Sequence, residues 1–167
     1  MIATYSTDFL ASLDLDLDWS EHERTALRAA ELRAENRWDE LAELDGALAA
    51  IGWDSLLHDH AQRARALWRI ESGDVERARE AIALMDQALT RHRSREHYYH
   101  RIRAAVAAGE QEIAWAGLDH FVGPQTVKNR ALSRALLSLV RKLGEPEDDP
   151  SRVINLLRQG VRQSARQ

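Results

Sequence analysis

No cysteine occurs among the 167 residues, so disulfides, thiolate metal sites and a Cys nucleophile are all excluded. Proline occurs three times, at 124, 146 and 150. Aromatic residues make up 6% of the chain, and lysine is confined to Lys128 and Lys142, leaving arginine as nearly all of the basic charge. That arginine and alanine bias fits a GC-rich bacterial genome and weakens arginine frequency alone as a binding signal. The apolar runs, such as Ala104–Ala108 and Ala135–Leu137, fall far short of the ~20 residues a spanning helix needs. The first residues lack the basic and apolar stretches of a secretory signal, and a cytoplasmic protein is the expectation. There is no His-Glu-x-x-His, no Gly-x-Ser-x-Gly and no phosphate-cradling or dinucleotide-type glycine loop, which disfavours catalysis.

What the chain has instead is a break recurring at one spacing. Asn36-Arg37-Trp38, Gly73-Asp74-Val75 and Gly109-Glu110-Gln111 begin 37 and 36 residues apart, each between helix-forming stretches. Small or apolar residues follow at +5, +8 and +12: Leu41, Leu44, Leu48; Ala78, Ala81, Met85; Ala114, Gly117, Phe121. Those offsets mark one face of an α-helix. A fixed period in this range is the signature of helical repeats that bury their apolar faces against neighbours. The fold class expected is all-α, with antiparallel helix pairs stacked as a short solenoid.

Three regions follow. Residues 1–19 form an acidic, extended arm in which Leu13-Asp14-Leu15-Asp16-Leu17-Asp18-Trp19 alternates strictly. Residues 20–144 form the helical-repeat domain. Ser20 and Glu23 make a capping box for a helix to about Ala34. Further helices are expected over Arg37–Ala50, from Asp54 or Ser55 to Glu71, Asp74–Thr90, from Ser94 to Ala108, and Glu110–Phe121. Gly123-Pro124 is a stop, and one long capping helix is expected over Gln125–Leu143. Residues 145–167 are a linker and a C-terminal amphipathic helix capped by Ser151.

Gly73-Asp74-Val75-Glu76-Arg77-Ala78 with Ile82 resembles the second half of a tetratricopeptide repeat, and Gly109, Ala114 and Leu118 repeat the pattern. Asn36, Trp38 and Leu41 give a looser copy. The likeness covers about residues 20–122. It departs from the family in its longer period and in lacking the repeat-ending proline. It implies a non-catalytic protein-protein interaction module, a scaffold whose first helices line a groove that holds a peptide. An all-α bundle enzyme or ligand-binding domain is the alternative reading.

The partner-binding candidates are arginines. Arg28, Arg65 and Arg101 each stand eight residues before a break, so a regular stack would set them in a row. Arg63, Arg69 and Arg103 enlarge that positive surface, and guanidinium forks suit carboxylates, pointing to a protein or acidic peptide as partner. Ion pairing along a helix face is the competing account. Residues 1–60 carry 14 acidic residues against 4 Arg, whereas 61–144 carry 15 basic against 9 acidic. The acidic arm is therefore expected to dock on the Arg row, in this chain or in a second copy. Arg91, Arg93, Arg95, Tyr98 and Tyr99 could serve nucleic acid, but the net charge of −4 opposes it. His97 and His100 share a helix face without a third ligand, so no metal or other cofactor is expected. Trp38, Trp53, Trp68 and Trp115 are expected in packing.

Overall fold

The computed structural model describes residues 19–144 and 150–163. The remainder of the arm and residues 145–149 lie outside the described residues. The described chain is all-α, ten helices without a strand among them: α1 Glu21–Ala34, α2 Trp38–Glu43, α3 Asp45–Ala49, α4 His58–Glu71, α5 Val75–Arg91, α6 Arg95–Ala108, α7 Gln111–Phe121, α8 Pro124–Val127, α9 Arg130–Val140 and α10 Ser151–Gln163. Among the described residues, no helix is long and apolar enough to cross a membrane.

The recurring break has a single backbone cause. Asn36, Gly73 and Gly109 are the three described residues with positive φ, at 56°, 74° and 72°. A left-handed residue ends a helix and reverses the chain, and glycine and asparagine are the residues that tolerate it best. A Cβ at Gly73 or Gly109 would meet nothing within 4 Å, so conformation rather than space selects glycine there. Side-chain caps then start the helices. Glu23 N–H donates to Ser20 Oγ (3.2 Å), while Ser20 N–H donates to Glu23 (2.7 Å). Asp74 accepts from Arg77 N–H at 3.0 Å, and Ser94 accepts from the N–H groups of Glu96 and His97.

The apolar offsets lie in the core. Leu41, Leu48, Ala78, Ala81, Met85, Ala114 and Phe121 are all buried. Leu44 is half-buried, as is Gly117, where a Cβ would come within 2.8 Å of Ile102. That glycine lets α7 approach α6 closely. Three apolar clusters run along the molecule: one under α1 to α4, one joining α4 to α7, and one joining α6 and α7 to α9 and α10. Helix α4 packs against α1, α2, α3, α5 and α6, and α6 packs against α4, α5 and α7.

Four expectations are corrected. The helix expected over Arg37–Ala50 is divided at Leu44 into α2 and α3. Helix α4 starts at His58 rather than near Asp54, because the chain first turns through Ser55, whose Oγ accepts from Leu57 N–H at 3.1 Å. The single helix over Gln125–Leu143 is two, α8 and α9. Asn129 leaves helical geometry and caps α9 by accepting from Leu132 N–H at 3.0 Å. Trp53 is 43% exposed and stacks on His58 at 4.6 Å, whereas Trp38, Trp68 and Trp115 pack on the apolar clusters as expected.

Candidate functional site

Of the six arginines singled out from the sequence, the five other than Arg63 are engaged by carboxylates of the chain as follows. Arg28 lies 3.2 Å from Glu31 and 3.5 Å from Glu40. Arg65 and Arg69 converge on Asp45 with Trp68, at 3.1, 2.6 and 3.2 Å respectively, and Arg69 also reaches Glu80 at 3.0 Å. Arg101 pairs with Asp86, and Arg103 with Glu71. The structure draws Arg28, Arg65 and Arg101 towards α2, α3 and α5 respectively. Desolvation would raise the Asp45 pKa, but hydrogen bonds from Arg69, Arg65 and Trp68 outweigh it and hold the carboxyl well below its ordinary value. With Arg69 buried, this is a lock between α3, α4 and α5.

A different set of polar groups gathers where α1, α4 and α6 meet. Helix α1 contributes Arg33; α4 contributes Asp59, His60 and Arg63; α6 contributes Glu96, His97, His100 and Arg103. Arg33 is half-buried, and its guanidinium makes no hydrogen bond or ion pair among the described residues. Burial, and then the charge of Arg63, lower its pKa, while Glu96 opposes them. Arg63 pairs with Glu96 and donates to His60 Nδ1 at 2.9 Å. A guanidinium has only donors, so His60 Nδ1 is an unprotonated acceptor and the ring carries its hydrogen on Nε2. Burial, then Arg63 and Arg33, push the His60 pKa down, which agrees with that tautomer.

The histidines behind it, His97 buried and His100 half-buried, have incomplete partners. His97 Nδ1 donates to the His92 carbonyl at 3.0 Å, leaving Nε2 buried without a partner. Asp59 accepts from His92 Nδ1 at 3.1 Å through one oxygen, and its other oxygen is buried and unmatched. His100 Nδ1 is likewise buried and unmatched. Burial, followed by the charges of Arg103, Arg33 and Arg63, pushes the His100 pKa down to about 3. Desolvation also lowers that of His97. Both rings are therefore neutral near pH 7, in a field made positive by three guanidiniums.

This arrangement can hold an anion: Arg33 supplies charge with no carboxylate of its own among the described residues, since Glu96 pairs with Arg63, and His60 supplies a ring N–H. Among the described residues no group of three or more His, Asp or Glu is placed to hold a metal. Sequence reasoning noticed Arg63, Arg103, His97 and His100 but not Arg33. The available signal was the i,i+3 series His60, Arg63 and His97, His100, Arg103, each of which follows one helix face. Comparison of the chain with protein-family models, curated proteins and solved structures finds no match in any of the three.

Proposed function

We propose that this chain is a tetratricopeptide-like, non-catalytic interaction module that takes an acidic segment of a protein partner on the face formed by α1, α4 and α6. The observation that carries the reading is Arg33, a half-buried guanidinium that pairs with no carboxylate among the described residues, beside Arg63 and two neutral histidines. Burying a charge without compensation is costly, so a site of this kind gains most from an incoming carboxylate. The repeat reading draws support from the left-handed residues at the three breaks. It is further supported by polar contacts at a nearly constant separation, slightly shorter than the spacing of the breaks: Asp59 with His92, Arg63 with Glu96, Glu71 with Arg103 and Arg79 with Glu110, at 33, 33, 32 and 31 residues. Equivalent helices lying side by side would produce such spacings.

The test is fluorescence anisotropy of a labelled ten-residue peptide alternating Asp and Leu, with the Asn-Leu peptide as control. The full chain is expected to bind the acidic peptide alone, and more weakly as salt screens the charges. Arg33→Ala should weaken it about tenfold, the loss of one charge-assisted contact. Equal binding of both peptides, or no effect of Arg33→Ala, overturns the proposal.

A further inference from the structure

Both nitrogens of the His100 ring lack a hydrogen bond among the described residues, and Nδ1 is buried. The other rings around it are each held through Nδ1, although His97 Nε2 is also unmatched. His60 Nδ1 accepts from Arg63, and His97 Nδ1 donates to the His92 carbonyl. The charges acting on His100 are Arg103 and His97 of its own helix, Arg33 of α1 and Arg63 of α4. Arg63 and Arg103 already have Glu96 and Glu71, which leaves Arg33 as the uncompensated charge. Helices α5 and α7 meet α6 mainly through apolar side chains such as Ala81, Met85 and Ala114. Their titratable groups on that side are occupied, Asp86 with Arg101 and His120 against Tyr98.

We infer that His100 takes up a proton as an anionic side chain seats beside Arg33, so that the acidic partner is held more tightly as pH falls. This rests on the reading of the site above. The empty site repels a proton, because the half-buried ring lies among guanidiniums. A carboxylate arriving at Arg33 cancels that uncompensated charge and gives a protonated ring something to donate to. One negative charge at about 4 Å, with an effective dielectric constant of about 20, raises the ring's proton affinity roughly a thousandfold. That lifts the ring from about 3 back towards its ordinary range when the site is filled. The proton thus acts as a second ligand, linked to the first.

The experiment measures binding of the same Asp-Leu peptide to the full chain at pH 7.5 and 5.0, where its carboxylates remain ionised. Affinity should rise about tenfold at the lower pH, and His100→Gln should bind alike at both. Calorimetry of the full chain at pH 5.5, in two buffers of different ionisation enthalpy, should show proton uptake, a reading that needs no variant. An unchanged affinity, a gain retained in His100→Gln, or no proton uptake overturns the inference. If Arg33→Ala weakens binding at pH 7.5 but no pH gain is seen, only the proton linkage falls. If Arg33→Ala has no effect, the site itself falls.

Discussion

Acidification should destabilise the fold through His100 from a higher pH than the carboxylates do. In the folded chain burial and three guanidiniums hold the ring at about 3. In the unfolded chain it returns to roughly 6.5. Between those values the unfolded state binds the extra proton, so stability present above about pH 6.5 is lost progressively as pH falls towards 3. At pH 4.5 the ring is about two pH units below its unfolded pKa, a loss of about 2.7 kcal/mol. His60 and His97, also depressed by burial, act in the same direction. Asp45 is depressed as well, but its contribution is lost only below about pH 3.8, outside this window. Urea unfolding followed by circular dichroism at pH 7.0 and 4.5 reads the effect, with equal urea slopes as the check on two-state behaviour. His100→Gln should lose about 2 to 3 kcal/mol less than the unaltered chain over that interval. Parallel losses in the two proteins would refute the placement of His100 as a buried neutral ring.

Asp45→Asn should cost about 2–3 kcal/mol in urea unfolding, because it leaves the buried Arg69 with Glu80 alone. The same change made on Arg69→Met should cost distinctly less, and equal costs would count against the lock. Gly109→Ala should destabilise by about 1 kcal/mol through its φ of 72° and not through a clash, whereas Asn36→Gly should change stability by only a few tenths. Thermal unfolding checks both, and a neutral Gly109→Ala would contradict the account of the breaks. Removing residues 1–18, which carry Asp8, Asp14, Asp16 and Asp18, should strengthen binding of the Asp-Leu peptide, most at low salt, if they compete for the same face. Unchanged affinity and salt dependence would show that they do not compete.

The all-α character and the three reversals were legible because each is a local property. Helix periodicity, a capping serine or aspartate and a residue fit for positive φ act within a few residues of one another. The division of α2 from α3 was not legible. Leu44 fits the apolar pattern, while the lock on neighbouring Asp45 comes from Arg65 and Arg69, 20 and 24 residues away. The arginines were misleading for the same reason. A constant offset from the break gave Arg28, Arg65 and Arg101 a shared position in sequence, yet each finds a carboxylate on a different helix. Arg33 stands three residues before its break and Arg63 ten before the next, so no single offset joins them. They meet because α1 packs on α4, a tertiary contact whose register the repeat spacing does not determine.

The most direct test of the central claim is a side-chain NMR titration of the full chain with the Asp-Leu peptide, following the arginine Nε–H and histidine ring signals. The account predicts that Arg33, Arg63, His60 and His100 shift together and saturably, while Arg65 and Arg69, held by Asp45, stay in place. Shifts confined to Arg28, Arg65 and Arg101, or spread over α9 and α10 with Arg33 unmoved, would contradict it.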